Sequence, residues 1–247
     1  MTAQLILTTG DLQFSDGSQQ SFAMGRNKII NGNFAVNQRA VSGTVTLSAG
    51  AYGHDRFKAG ASGCTYTFAT VANVTTLTIS AGSLQQVIEG NNLLSGTHVL
   101  SWAGTAQGKI DGGSYAASGV TGTATGGTNL TVEFGTGTLS KVQLEQGSAV
   151  SLFEMKPAGV ESVLCKRYFN VQVMHAQMAS AGYGQGGGWM WYFPITMRAV
   201  PTITASNQTV GSGGGTAGAQ TVDGCGMTSA GNGNGQIAFT ATANAEL

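Results

Sequence analysis

Apolar residues in this chain come in short runs that alternate with polar ones, and each run is cut off by glycine, asparagine, serine or threonine. Leu130, Val132 and Phe134 fall on one side of an extended chain, with Thr131 and Glu133 on the other, the period-two pattern of a half-buried strand. Comparable runs recur at residues 45–47, 66–68, 77–79, 84–88, 99–102 and 139–144. Many short strands with such punctuation predict an all-β chain built as a sandwich or jelly roll. Two stretches are ambiguous. Ser83 and Gln86 have capping-box spacing, and Leu84, Val87 and Ile88 fit a helical stripe, but seven residues make a poor helix and a strand is expected. Residues 108–129, with Gly112, Gly113, Gly119, Gly122, Gly126 and Gly127, are expected to form a hairpin with a glycine-rich tip.

The pattern changes between residues 140 and 169. Val142 and Leu144 lie on one face of a strand, and Lys141, Gln143 and Glu145 on the other. Gly147 and Ser148 end it. Pro157 precedes a short helix, where its missing N–H costs little. Val160, Val163, Leu164 and Tyr168 recur at helical spacing. Glu161 falls in the first turn and Lys166 with Arg167 in the last, which suits the helix dipole. Three parts follow: residues 1–25, a β-domain over 26–157, and a helix with a second β-region over 158–247. In that last part Trp189, Trp191 and Phe193 alternate with Met190 and Tyr192, so both faces of the strand are large and apolar. Burial between two layers, or between copies of the chain, is expected. Residues 211–218 and 224–235 read as glycine-rich loops, and Ile237 with Phe239 as a closing strand.

Composition narrows the function. Of 247 residues 39 are glycine and only 9% are charged, against a usual quarter. The surface is therefore hydroxyls, amides and backbone. The charges balance, 11 basic against 11 acidic, which leaves no stripe to neutralise phosphates, so nucleic acid is not an expected partner. No apolar run approaches the length of a membrane span, and residues 1–25 lack the basic and apolar regions of a signal peptide. Cys64, Cys165 and Cys225 have no metal-site spacing. They read as reduced, buried thiols, which fits assembly in a reducing cytoplasm. In the N-terminal part, Leu12 and Phe14 alternate with Gln13, Asp16-Gly17 is a turn pair, and residues 19–23 form a return strand. Such a hairpin is marginal alone and is expected to attach to something larger.

Five short motifs, in order, resemble one family. Lys28-Ile29-Ile30-Asn31-Gly32-Asn33-Phe34 with Gln38-Arg39 comes first, then Gly53-His54-Asp55-Arg56-Phe57. Gln86-Val87-Ile88-Glu89-Gly90 and Leu100-Ser101-Trp102-Ala103-Gly104 follow. Val142-Gln143-Leu144-Glu145-Gln146-Gly147-Ser148, with Phe153-Glu154 and Leu164-Cys165-Lys166-Arg167-Tyr168-Phe169, closes the series. Together they resemble the β-sandwich module, jelly-roll-like and carbohydrate-binding-module-like, of bacteriophage tail-fibre and other virion fibre proteins. The resemblance implies a virion appendage and a homotrimer, with the helix at its three-fold axis. Residues 1–25 would dock on a tail, baseplate or portal-proximal protein, and the distal β-region would meet a host-surface glycan. A purely structural decoration, collar or head fibre, and a polysaccharide-degrading spike, remain open alternatives.

The chemistry-bearing residues give no enzyme and call for no cofactor or metal. Glu133 and Glu145 are the nearest thing to a paired-carboxylate site, on strands expected to be neighbours, and read as solvated surface. His54, His98 and His175 are isolated and read as surface or packed residues. Asp16, Asp111 and Asp223 each precede glycine, as turn residues do. Arg56 is expected to pair with Glu154 or with carbonyls at a strand end. For a neutral, hydroxyl-rich ligand, aromatic faces and amides on loops are the expected contacts. The candidates are Tyr183, Gln185, Trp189, Asn207, Gln208, Asn232 and Asn234.

Overall fold

A computed structural model describes residues 6–8, 11–13, 19–21, 25–178, 187–210, 215–229 and 235–247. The chain is mostly antiparallel β-sheet with one short helix. It divides into two compact units, Met1–Ala158 and Gly159–Leu247.

The N-terminal segment has three strands rather than two. β1 (Ile6–Thr8) pairs with β2 (Asp11–Gln13), and β2 pairs with β3 (Gln19–Ser21). The expected pair across residues 16 and 17 is β2–β3; the apolar run ahead of it supplies the extra strand.

The rest of the first unit is organised around two long strands, β5 (Lys58–Val71) and β6 (Val74–Ile88), which form a hairpin. Its turn, Ala72-Asn73, has positive φ at both positions (48° and 63°), as a two-residue hairpin matching the strand twist requires. β6 serves two sets of partners. Its first half pairs with β11 (Gly137–Gln146), Leu77 opposite Leu139, and its second half with β10 (Leu130–Phe134), Leu84 opposite Phe134. Between the halves the chain bends at glycine. Gly63 and Gly82 have φ of +78° and +70°, and a Cβ on Gly82 would overlap the Gly63 carbonyl oxygen.

The remaining strands extend the two sets. β7 (Gly96–Ala103) pairs with β11, and β9 (Val120–Ala124) with β7. β8 (Gly108–Ile110) pairs with β10, and β4 (Val45–Leu47) with β5. The hairpin expected over 108–129 is therefore not formed: β8 and β9 join different neighbours. They meet instead where the Ile110 side chain of β8 lies against the backbone of Gly122 in β9, so close that a Cβ there would be 2.8 Å from it. Likewise Trp102 of β7 packs edge-on against Phe134 of β10, ring centres 5.2 Å apart. One core, from Ile29 and Phe34 through Leu77, Leu84, Leu100, Leu130, Val132 and Leu144, fills the space between them. The ambiguous stretch at 83–90 is strand as far as Ile88, then a single 3-10 turn at Gly90–Asn92.

In the second unit α1 (Ala158–Lys166) leads into β12 (Phe169–Met178). The expected apolar stripe on α1 splits. Glu161, Cys165 and Tyr168 are buried, whereas Val160 and Val163 are more than 40% exposed. β17 (Gly235–Asn244) lies between β12 and β14 (Thr202–Val210), and β16 (Gly224–Ser229) between β13 (Gly187–Tyr192) and β15 (Gly215–Gln220). Much of the two stretches read as loops is thus strand, because glycine here lies inside extended segments. Residues 211–214 and 230–234 lie outside the described residues. Trp191, Phe193, Met197, Cys225 and Met227 pack with Ala241, Ala243 and Ala245 into a small core. Met190 and Tyr192 point the other way, and Tyr192 is 74% exposed, so only one face of β13 is buried within the chain.

Candidate functional site

Two polar assemblies dominate the first unit. One is a buried seam built from the motif residues. The Asp55 carboxylate, fully buried, accepts the Gln38 backbone N–H (2.6 Å) and side-chain amide (2.7 Å), with the Arg39 guanidinium 3.6 Å away. Asn31, also fully buried and at φ 62°, donates to the carbonyls of Val36 and Asp55. Arg56 reaches the Val87 carbonyl (2.7 Å) near the end of β6; of its two expected partners, the strand-end carbonyl is the one observed. His54 sits between the rings of Phe34 and Phe68, its Nδ1 3.0 Å from the Tyr66 hydroxyl. Burial pushes its imidazole down to about 4 and the Tyr66 phenol up to about 12. A neutral imidazole bonded to a neutral phenol, both inside the core, orients strands.

The other assembly lies on the outer face of β5, β6, β10 and β8. The strand register puts Lys58, Gln85, Glu133 and Lys109 on one rung across all four. The Ser83 hydroxyl donates to Glu133 Oε1 (2.6 Å), and Lys109 Nζ lies 3.1 Å from Oε2. The same ammonium stands 4.6 Å from the centre of the Tyr115 ring. Burial works against charge on Glu133. Hydrogen bonds from Ser83, Tyr115, Lys109 and Gln85 outweigh it and hold the carboxyl below its usual range. Burial, then the bond to Glu133, pushes the Tyr115 phenol up to about 12. Glu133 is thus a fixed anion with its lone pairs in use, suited to order a face and unsuited to donate a proton.

Glu145 is elsewhere. β10 and β11 are not paired to each other, so the two acids are not on neighbouring strands, and Glu145 is not solvated. It is 3% exposed, accepts from Ser151 N–H (2.9 Å), Ser151 Oγ (2.6 Å) and Gln143 Nε2 (3.0 Å), and pairs with Arg26 at 3.3 Å. Period-two alternation placed it on the outer face correctly, but residues 151–154 return across that face and cover it. Covering segments of this kind leave no periodic signal.

Tyr183, Gln185, Asn232 and Asn234 lie outside the described residues. Trp189 is in β13, opposite Met227. Asn207 and Gln208 are in β14, where its pairing with β17 shifts between Ser206 and Thr209. The side chains of these three also lie outside the described residues. Asp111 and Asp223 are turn residues: Asp111 Oδ1 accepts the Thr131 N–H (2.7 Å) and Asp223 Oδ1 the Thr196 hydroxyl (2.6 Å). No group of three metal-ligating side chains occurs among the described residues. Comparison with protein-family models, curated proteins and solved structures returned no match.

Proposed function

We propose that this chain is a bacteriophage tail-fibre or related virion-appendage protein. In this reading it is assembled in the host bacterium, attaches to the particle through residues 1–25, and binds a host-surface glycan through its second β-unit. The first unit would be a jelly-roll-like β-sandwich. The observation that carries the reading is where four of the five motifs sit. Asn31, Asp55, Arg56, Gln86, Gln143, Glu145 and Glu154, from the first, second, third and fifth, all hold backbone in place. Residues that resemble a family at its buried polar joints support shared architecture, which is what the resemblance implied.

A homotrimer is supported by apolar side chains that the chain leaves in water. Val160 and Val163 on α1 are exposed, as are Met190 and Tyr192 on β13, and the small, alanine-rich core of the second unit would gain from a neighbour. Glycan contacts, individually weak, would then act in several copies. The test replaces residues 211–214 and 230–234 with those of a related fibre and measures binding to host cells. Altered binding is expected; unchanged binding would exclude these segments as the receptor contact. Sedimentation as a trimer is the companion result. The purely structural reading is favoured by one fact: on the outer face the Glu133 carboxylate is already held by the Ser83 hydroxyl and the Lys109 ammonium.

A further inference from the structure

The first unit is closed by a strap, and we infer that this strap bears mechanical load between the unit's two ends. The incoming segment, residues 25–29, has β11 on one edge: Lys28 N–H donates to the Leu144 carbonyl (2.8 Å). On its other edge runs the outgoing segment, residues 151–156, which stands in for a strand by using side chains. The Glu154 carboxylate accepts the N–H groups of Gly25 (2.7 Å) and Asn27 (2.6 Å). The Lys156 ammonium donates to the carbonyls of Asn27 (3.0 Å) and Ile29 (2.8 Å). Arg26 adds a bond to the Leu152 carbonyl (2.8 Å). Behind the strap, Gln143 Oε1 takes the Glu154 N–H (2.7 Å) and Glu145 takes Ser151.

Two consequences follow from these partners. Gly25 and Glu154 are 129 positions apart in sequence yet hydrogen-bonded, so chain arrives and leaves at one edge of the unit. Also, the contacts advance together, Leu152 and Glu154 on residues 25–27 and Lys156 on residues 27–29, so the two segments run parallel. Tension then pulls residue 25 backwards and residue 157 forwards along the same axis. All five bonds are strained at once, in shear, and cannot be peeled one by one. A charged group takes part in every one of them, and charge-assisted bonds are the stronger kind. The bonds of residues 27 and 28 to β11 share that load, and the strap adds its five bonds to them. This inference concerns the first unit alone and holds whether or not the chain is a virion part.

Force spectroscopy of the full chain tests it, because forced unfolding reads an opening rate. With handles at the two termini, opening of the first unit should release about 130 residues, on the order of 45 nm of extended chain, in one step. Glu154→Ala with Lys156→Met should open at least tenfold faster at the same force. With handles instead at Ala72 and Gly112, both exposed and both off the strap's load path, the double variant and the parent should differ by less than threefold. Equal acceleration in both pulling directions would reduce the strap to ordinary stabilisation and overturn the inference, as would no acceleration through the termini. Should the double variant fail to fold, Lys156→Met alone removes two strap bonds and is expected to give the same ordering at smaller size.

Discussion

His54 makes stability depend on pH in a direction that its surroundings fix. The imidazole is 1% exposed, wedged against Phe34 and Phe68 with Tyr66 as its polar neighbour, and burial lowers it from 6.5 to about 4. Above pH 6.5 it is neutral whether the chain is folded or not, and contributes no pH dependence. Between pH 6.5 and 4 only the unfolded chain takes up the proton, so the folded state loses ground as pH falls. One pKa unit corresponds to about 1.4 kcal/mol, so the full interval is worth roughly 3 kcal/mol. Urea unfolding at a series of pH values, for the parent and for His54→Gln, isolates the effect, since acid-sensitive carboxylates are common to both. The variant is expected to be less stable at pH 7 and to lose about 3 kcal/mol less than the parent on acidification. Parallel curves would refute the reasoning, because they would mean that His54 charges freely in the folded state.

Three further outcomes follow from local geometry. Gly82→Ala places a Cβ on the Gly63 carbonyl at a positive φ; a cost of about 3 kcal/mol or more is expected by chemical denaturation, whereas a loss below about 1 kcal/mol would mean that the bend in β6 is easily moved. Ala72→Gly relieves a left-handed alanine at the β5–β6 turn and should raise stability by about 0.5–1 kcal/mol, read as a higher melting temperature. Glu145→Ala strips partners from Ser151, Gln143 and Arg26 and should cost about 2–3 kcal/mol. An exposed glutamate would cost less than about 0.5 kcal/mol, so this measurement separates the covered position from the solvated one that alternation alone suggests.

Strands were legible in the sequence where one face is buried within the chain. Leu130, Val132 and Phe134 announce themselves because they are buried while Thr131 and Glu133 between them are only half-buried. Pairing was less legible. Residues 108–129 look like a hairpin, but β8 and β9 go to different partners, and Gly122 is there to make room for Ile110 across the core. Glycine was read as loop in the second unit when much of it lies in β15 and β16. A residue without a side chain has no face to show, so periodicity is silent where glycine is dense. On α1 the valines mark the exposed side, because the buried positions are occupied by Glu161 and Cys165. The glycan contacts were inferred from residue chemistry on loops, and their side chains lie outside the described residues. What the sequence could state about function came through the motif residues, and these turn out to brace backbone.

The central claim is that this protein meets the host surface on behalf of a virion. Competition for adsorption tests it most directly. Purified full-length chain, incubated with host cells before the parent phage is added, should reduce adsorption in a dose-dependent way and saturate with the chain's own binding to the cells. Undiminished adsorption with the cells held at saturating protein would contradict the claim and leave a structural part of the particle in its place.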